Sequence, residues 1–551
     1  MISMFHYLKL VQLALVAWWC TRYKPKASWV FILFSIPLLS MFIPGSYESG
    51  DFTTHIVRAM DLMSSLRYGV FPVRWAWLLH GGYGYPLFNF VSILPYYQLA
   101  IQKLVGIPFV SGMKLFLATW YLFSGFNMFL LGKRLWKNNH AAVISAVLYG
   151  FAPYMLINLN FRAAVGELGG FALLPLILYA VLGSQSLLFT ISTSLLFIMH
   201  PGVTLLGMPF VVLLILLKKK VRVFLFPIVL SIGLTAWYLI PAIMEAQFTE
   251  QVYHATQNYW GSSVFPPLLQ LFWSPWRVGF LFQGHYGELA YTLGYFAWIA
   301  VFASIVLLWK KRIEKRYIRP VFFLLVAFSL GFFMVTPFSA WVWNVVPMIR
   351  KLQFPSRMML LTVTSSSLLA GYVFRRILKT QWIPIFLCVA VGWTTLNWTH
   401  RTYKPEVDDG FLQTHLPYVS FEYERLPEAI PKWKKDIATP RTESITVVYG
   451  DAIYQPVDVR PTTRSYIIDV TSSNSTLIEN TMYFPGWKLT IDGVDSDVTI
   501  SERGLMQFSL PQGKHTIAFV FEDTPVRKIS NAVTLVSIVI LGLWIHRKRN
   551  T

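Results

Sequence analysis

The sequence predicts a polytopic α-helical membrane protein with about 12 transmembrane helices, a C-terminal β-rich domain and a final transmembrane helix. Hydrophobic residues make up 55% of the 551 residues, whereas charged residues make up 13%, about half the share in soluble domains. Apolar runs recur along most of the chain, so lipid must be its main solvent. One long polar stretch, 399–529, interrupts them and predicts a separate domain.

The apolar runs define the candidate spans, although several are shorter than the roughly 20 residues that a bilayer requires. They lie at 28–44, 113–132, 141–157, 168–184, 186–199, 202–217, 223–243, 293–309, 321–339, 358–374, 382–398 and 530–545.

The N-terminal segment, 1–27, is predicted to be cytoplasmic or interfacial. Its apolar run, 7–20, contains Lys9 and Gln12 and is short for a span. Basic residues follow it in place of the small-residue cleavage site of a signal peptide. We interpret 7–20 as an interfacial helix, with a true span as the alternative.

The distribution of lysine and arginine predicts the orientation of the spans. If the N-terminus is cytoplasmic and the proline-containing stretch 87–109 does not cross, every dense basic cluster falls on the cytoplasmic side. A full span at 87–109 would turn all later clusters outward. We therefore expect a plasma-membrane protein with both termini in the cytoplasm, a transmembrane domain at 28–398 and a first outer loop at 45–112. The net charge of +21 then reflects these loops and does not indicate a nucleic-acid partner.

Residues 399–529 are predicted to form an extracytoplasmic β-rich domain, because they hold 18 of the 26 carboxylates and follow a span that leaves the cytoplasm. The final span and a basic cytoplasmic tail occupy 530–551. Alternating polar and apolar residues predict strands, and an Asp-Gly pair after an apolar strand predicts a hairpin turn. The strands are Ser444–Tyr449, Arg464–Thr471 and His515–Phe521, and the pair Asp492-Gly493 follows Trp487–Ile491.

Eight carboxylates lie outside this domain, and in the predicted orientation all but Glu314 face the outer side of the membrane. Carboxylates near lipid are costly and often mark substrate paths or catalytic sites. A solvated loop charge explains Glu48, Glu250 and Glu288 equally well. The outward-facing carboxylates are Glu48, Asp51, Asp61, Glu167, Glu245, Glu250 and Glu288.

Asp51 is the strongest candidate for a general base. If a helix begins after Gly50, then Asp51, His55 and Arg58 fall on one face of it. A carboxylate held there can accept a proton from an attacking hydroxyl, with His55 or Arg58 fixing its ionisation. Aspartate at a helix start is also a common N-cap, and both roles can hold for the same residue.

Further polar side chains follow the predicted outer ends of other spans. Arg162 and Glu167 follow the 141–157 span, His200 ends the 186–199 span and Glu245 follows Pro241. A lone histidine is more often structural than a ligand. Several span ends that direct polar groups toward one face nevertheless favour a common site.

Three cations, Arg350, Lys351 and Arg357, lie on the predicted outer side, against the usual distribution. Basic residues there require an anionic partner, and lipid phosphate is the obvious one. Snorkelling of the side chains to lipid headgroups is the alternative.

The ordered motifs of the chain resemble the GT-C class of membrane glycosyltransferases. More narrowly, they resemble bacterial YfhO-like proteins, also called "6-pyruvoyl-tetrahydropterin synthase-related" membrane proteins. The stretches that carry the resemblance are Gly50–His55, Gly69–Trp75, Tyr85–Phe90, Phe161–Glu167, Met199–Pro201, Ala236–Ala242, Gln353–Arg357 and Tyr483–Trp487.

The resemblance implies a polyprenyl-phosphate-linked sugar as donor and transfer on the extracytoplasmic face. By position, Asp51 matches the acidic residue that GT-C enzymes carry in the first outer loop. The Asp-x-Asp of some metal-dependent members does not occur there. No cofactor is therefore assigned, and a divalent metal ion is left open.

Our main hypothesis is an inverting glycosyltransferase that transfers one sugar to a glycan, lipid or polymer acceptor. Asp51 is the expected base. Glu167 is expected to orient a substrate or to serve as the base in place of Asp51. The expected substrate-binding residues are His55, Arg58, Arg162, His200, Glu245, Arg350, Lys351 and Arg357. The alternatives are a transporter or flippase for lipid-linked sugars and a non-catalytic envelope assembly protein.

Overall fold

The computed structural model describes residues 26–250, 265–272, 292–346, 349, 352, 354–398, 403–416, 429–435, 437 and 439–550. The predicted helix at 7–20 and the candidate residues Glu288, Arg350 and Lys351 lie outside the described residues. The chain divides into two compact units. The first comprises Met1–Phe52, Ser111–Ser231 and Asn258–Pro405, and the second comprises Thr53–Val110, Ile232–Gln257 and Glu406–Thr551.

Among the residues that the structure describes, five helices are long and apolar enough to cross a membrane, and the number rises to seven if each of two bent helix pairs forms one span. The five are Phe109–Trp136, Val165–Gly183, Lys315–Val335, Pro355–Ile377 and Pro525–Asn550. The bent pairs are Asn139–Gly150 with Pro153–Arg162, and Val221–Leu234 with Ala236–Met244.

Shorter apolar helices account for the remaining predicted runs, so each of the twelve runs overlaps a helix. Crossing by all twelve stays a prediction, because these helices are too short to span by length alone. They are Ala27–Leu38, Ser186–Met199, Pro201–Leu217, Tyr295–Trp309 and Ile383–Trp398.

Small residues let the helices of the first unit pack closely. The Met359–Ile377 helix is buried from Met359 to Phe374. A Cβ added at Gly371 would clash with the Ser145 hydroxyl of the neighbouring helix. Close approach at small residues is a common way to pack helices where apolar surfaces gain little by leaving lipid. The hydroxyl of Thr364 donates to a carbonyl of its own helix, Leu360, at 2.7 Å. A hydrogen bond within the helix thus satisfies a polar side chain that is buried between helices.

The stretch predicted not to cross, 87–109, forms no long helix. A 3₁₀ turn, Leu87–Asn89, precedes a helix at Leu94–Leu104. Eleven residues make a helix about 16 Å long, well short of a bilayer core of about 30 Å. Neither element is long enough to cross a bilayer by itself, and the orientation chosen from the basic residues stays a prediction.

The second unit contains a seven-stranded antiparallel sheet with the order β3-β5-β9-β6-β7, in which β4 also pairs with β5 and β8 with β9. The strands are β3 (Ile445–Tyr449), β4 (Ala452–Arg460), β5 (Thr463–Met482), β6 (Trp487–Ile491), β7 (Val494–Ser496), β8 (Thr499–Ile500) and β9 (Leu505–Phe521). A separate pair, β1 (Ser46–Tyr47) and β2 (Tyr403–Lys404), belongs to the first unit.

The predicted strands are confirmed, although β5 and β9 extend well beyond the alternating segments that indicated them. The predicted hairpin is also confirmed, since Ile491 and Val494 pair across a two-residue turn. Asp492 and Gly493 have φ values of 53° and 81°. Positive φ at both central residues matches the right-handed twist of the flanking strands.

Candidate functional site

A short π-helix positions Arg162 in the first unit. It spans Asn158–Arg162 and ends at Ala163, a buried residue with φ 51° and ψ 42°. Side chains other than glycine rarely adopt this left-handed conformation, and π-helical turns occur often at functional sites. The Ala164 N–H donates to the Asn158 carbonyl at 2.9 Å and closes the turn. The chain therefore reverses there within a few residues and enters the Val165–Gly183 helix.

Glu167 lies in the first turn of that helix and is 3% exposed. Its Oε1 accepts from Arg162 Nη1 and from Arg357 Nε, each at 3.0 Å. Its Oε2 accepts from the Tyr154 hydroxyl at 2.7 Å and from Asn158 Nδ2 at 3.2 Å. A carboxylate has about four lone-pair sites, so these four donors occupy the hydrogen-bonding capacity of Glu167. The arrangement suits a residue that holds two guanidinium groups in place.

Arg357 enters this cluster from the start of another candidate span, Pro355–Ile377. Besides the bond to Glu167, its Nη1 donates to the Leu352 carbonyl at 2.9 Å. Arg357 and Arg162 thus meet at one carboxylate oxygen. Guanidinium groups fixed in this way present planar donors suited to phosphate.

Asp51 is attached to the same π-helix through the main chain. The Gly50 N–H donates to the Phe161 carbonyl at 2.8 Å, and the Asp51 N–H donates to the Arg162 carbonyl at 3.1 Å. The following helix, Phe52–Arg67, begins where predicted, and the Ser49 hydroxyl accepts from the Phe52 N–H at 3.0 Å. The sequence therefore located the helix start but missed Ser49 as a residue that satisfies a first-turn N–H.

His200 forms the junction between the Ser186–Met199 and Pro201–Leu217 helices. Its Nδ1 accepts the Val203 N–H at 3.0 Å, so the side chain caps the second helix. Burial and the positive charge of Arg357 lower the pKa of the imidazole, while the charge of Glu167 opposes this shift. His200 is therefore a structural cap that lies within the electrostatic influence of the charged cluster.

His55 and Arg58 belong to the second unit, where both contact Tyr96. His55 Nδ1 lies 2.9 Å from the Tyr96 hydroxyl, and Arg58 Nη1 donates to the same oxygen at 3.1 Å. Burial, and then the charge of Arg58, lower the pKa of His55 well below its usual value. The imidazole is therefore neutral at physiological pH.

Glu245 takes part in a separate buried network of the second unit. Its Oε2 accepts from Arg527 Nε at 3.0 Å and Nη2 at 2.9 Å, and its Oε1 accepts from the Thr524 hydroxyl at 2.7 Å. Asn89 links Glu245 to Arg74, whose Nε lies 2.9 Å from Asp523 Oδ1. The site residue predicted at a span end is therefore part of an ion network with four charges.

Sequence reasoning missed Arg74, Asn89 and Arg527 as members of this network. Arg74 and Asn89 lie in stretches that carry the family resemblance, Gly69–Trp75 and Tyr85–Phe90, so a signal for them was available. Arg527 gave no such signal, because its role depends on a partner 282 positions away.

Three further acidic residues of the predicted outer side, Asp61, Glu48 and Glu250, make other contacts. Buried Asp61 accepts the Leu78 N–H at 2.9 Å, and Glu48 lies 4.0 Å from Lys404. The main chain of Glu250 donates to the Ile430 carbonyl at 2.9 Å. Within the part of the chain that the structure describes, no group of three or more histidine, cysteine, aspartate or glutamate residues could hold a metal ion.

Comparisons with known proteins give a distant structural likeness. No protein-family model matches the chain, and no curated protein matches it. The cryo-EM structure of arabinofuranosyltransferase AftD from Mycobacteria aligns at a TM-score of 0.43 and 14% identity over 72% of this chain. A mutant form aligns at 0.39 and 15% identity over 69%. This chain spans 29% and 28% of those two chains, and both scores are too low to establish a shared fold.

Proposed function

We propose that this protein is a membrane glycosyltransferase that transfers a sugar from a polyprenyl-phosphate carrier to an acceptor on the extracytoplasmic face, with inversion. The proposal includes the YfhO-like resemblance, a plasma-membrane location, cytoplasmic termini and crossing by about 12 helices. The observation that carries it is the main-chain pairing of Asp51 with Arg162, beside the Glu167 cluster that also holds Arg357. A candidate base and two candidate phosphate-binding groups, far apart in sequence, thereby share one unit.

In the proposed reaction, Asp51 accepts the proton of the acceptor hydroxyl as its oxygen attacks the anomeric carbon. The bond from that carbon to the phosphate oxygen breaks, and polyprenyl phosphate leaves with the electron pair. Arg162 and Arg357, with Arg350 and Lys351 from the predicted outer loop, stabilise the negative charge that develops. The lone pairs of Glu167 are already occupied by four donors. Its proposed role is therefore to hold the two guanidinium groups in place. A single displacement of this kind inverts the configuration of the sugar.

The partners of the remaining predicted residues suggest supporting roles. His55 and Arg58 bind Tyr96, and Glu245 binds Arg527. We propose that His55, Arg58 and Glu245 stabilise the second unit, because each is buried against a partner within that unit. The β-rich domain of that unit is proposed to cover the site or to hold a glycan acceptor.

The base assignment is tested with the full-length protein in lipid nanodiscs. The probes are polyprenyl-phosphate sugars carrying a hexose or a pentose, and mass spectrometry measures released polyprenyl phosphate in the presence of cell-envelope acceptors. We expect Asp51→Asn to lower turnover by a factor of about 100 or more without changing the melting temperature. Glu48→Gln, in the same loop but 4.0 Å from exposed Lys404, is the matched control and should retain turnover. Wild-type turnover by Asp51→Asn would exclude Asp51 as the base.

The same preparations separate the rival functions. A flippase would move a fluorescent polyprenyl-phosphate sugar across proteoliposomes and leave its glycosidic bond intact. An assembly protein would neither move nor cleave it. Either result would overturn the transferase proposal, whereas released polyprenyl phosphate that depends on Asp51 supports it.

The variants Arg350→Gln and Lys351→Gln test whether these two cations bind the phosphate of the donor. Lys404→Gln is the control, because it removes another cation of the predicted outer side. We expect the KM for the donor to rise about tenfold in the first two variants, because each loses one charge-assisted interaction. A change confined to the acceptor KM would contradict the phosphate role.

A further inference from the structure

The imidazole of His200 is held in one tautomer by the helix that follows it. The Val203 main-chain N–H points at Nδ1 from 3.0 Å. A main-chain N–H can only donate, so Nδ1 must carry a lone pair and no proton. In a neutral imidazole the proton then resides on Nε2. His200 therefore has one acceptor, already used inside the protein, and one N–H donor.

The surroundings of the ring favour this neutral form. The N-terminal end of a helix carries partial positive charge, which opposes a cation at the cap position. Arg357 and Arg162 add positive charge and Glu167 adds negative charge, and the net effect with burial lowers the pKa of the imidazole. Protonation at Nδ1 would in addition break the bond to the Val203 N–H.

Gly202 fixes where the ring lies relative to Arg357. A Cβ at position 202 would lie 2.9 Å from His200 Cε1, 3.1 Å from Nδ1 and 3.5 Å from Arg357 Nη1. The imidazole and the guanidinium group therefore flank the same glycine. His200 as a whole residue is partly exposed.

We propose that His200 binds the substrate directly and donates its Nε2 hydrogen to a phosphate oxygen of the lipid-linked donor, beside Arg357. This inference rests on the proposed function. It assigns His200 a fixed donor role in place of acid or base chemistry. It also explains why the junction of two helices carries histidine followed by Pro201 and Gly202, since proline suits the first helical position and glycine leaves room for the ring.

The first test is binding of undecaprenyl phosphate, which needs no knowledge of the sugar. The affinity of the full-length protein in detergent micelles is compared with that of the His200→Asn and Gly202→Ala variants, and undecaprenol serves as the control lipid. Asparagine is a good N-cap, so His200→Asn should keep the melting temperature while losing the Nε2 donor. We expect its affinity for undecaprenyl phosphate to fall about tenfold or more, with undecaprenol binding unchanged.

Gly202→Ala tests the position of the ring without removing it. A Cβ at position 202 would crowd the imidazole that caps the helix, so a purely structural role for this junction predicts lower stability and unchanged binding. The proposal instead predicts weaker binding of undecaprenyl phosphate, because the added Cβ displaces the imidazole, the guanidinium group or both. Unchanged binding by both variants would overturn the proposed role of His200 while leaving the transferase proposal intact. No binding of undecaprenyl phosphate by the unaltered protein would instead count against the transferase proposal itself.

A second measurement reports the tautomer directly. Spectra of the protein with ¹⁵N-labelled histidine, assigned by difference from His200→Asn, should show an unprotonated Nδ1 and a protonated Nε2. These signals should not change from about pH 8 to about pH 5, where an ordinary histidine gains its charge. A protonated Nδ1, or titration within that range, would contradict the proposal.

Discussion

Arg357 Nε lies 3.0 Å from Glu167 Oε1, and 190 positions of sequence separate the two residues. Arg162 Nη1 shares the same oxygen at the same distance. The start of one candidate span is thereby joined to the first turn of another. The charges of the cluster are therefore a part of the packing between helices as well as of the proposed chemistry.

We expect Glu167→Gln to lower the free energy of unfolding by about 3 kcal/mol, because removing one partner of a buried ion pair leaves the other charge uncompensated. The melting temperature in detergent measures the effect. Glu314→Gln is the matched control, since the pair of Glu314 with Arg316 is 41% and 63% exposed and such pairs contribute little. Equal shifts in the two variants would contradict this prediction.

Arg527 and Glu245 allow a double-mutant cycle in the second unit, because both are almost fully buried. Either single change, Arg527→Met or Glu245→Gln, should lower the free energy of unfolding by about 3 kcal/mol. The double variant should lose less free energy of unfolding than the two single variants lose together, because no unpaired charge then remains. Simple additivity of the melting-temperature shifts would show that the pair is not coupled.

Gly493→Ala should weaken the β6–β7 hairpin by about 1 kcal/mol. No atom lies within 4 Å of a Cβ built at Gly493, so the cost arises from its positive φ of 81° alone. Hydrogen exchange at the hairpin amides measures the loss of protection. Gly542→Ala, at an open position without positive φ, should leave those amides unchanged. Unaltered protection in Gly493→Ala would exclude backbone strain as the determinant of the turn.

The lowered pKa of His55 predicts a loss of stability on acidification. An unfolded histidine gains a proton near pH 6.5, whereas the buried imidazole beside Arg58 stays neutral. The unfolded state therefore binds more protons as the pH falls below about 6.5, and the free energy of unfolding decreases. His55→Gln should reduce the difference between melting temperatures at pH 7.5 and pH 5.5. A difference of wild-type size would mean that other groups cause it.

Patterns that act over a few residues predicted the apolar helices and parts of β3, β5, β6 and β9, but not β4, β7 or β8. Apolar runs located the helices because lipid contact requires continuous hydrophobicity, and Asp492-Gly493 located a hairpin because only certain residues adopt positive φ at low cost. The same reasoning put the start of the last helix too late. That helix begins at Pro525 and not at 530, because its first residues are polar and hydropathy marks contact with lipid, not the start of a helix.

The candidate site was predictable only in part. Arg162, Glu167 and His200 were selected from their positions at span ends, Asp51 from a predicted helix start and Arg357 as a cation on the predicted outer side. All five lie in the first unit. Tyr154 and Asn158 were not selected, since neutral polar residues are common in helices and only proximity to Glu167 reveals their role. The ion network of Arg527 and Glu245 depends on tertiary contact, which no local pattern encodes.

The attachment of Asp51 to the 158–162 turn is made by main-chain atoms, and such bonds are indifferent to the identity of the side chains that flank them. Substitution of Phe161 would therefore leave the main chain of Asp51 in place, whereas substitution of Arg162 would also remove a partner of buried Glu167. A lineage of such proteins can therefore change the side chain at position 161 without moving that part of the main chain. The placement of the carboxylate is inherited separately, through the shape of the turn.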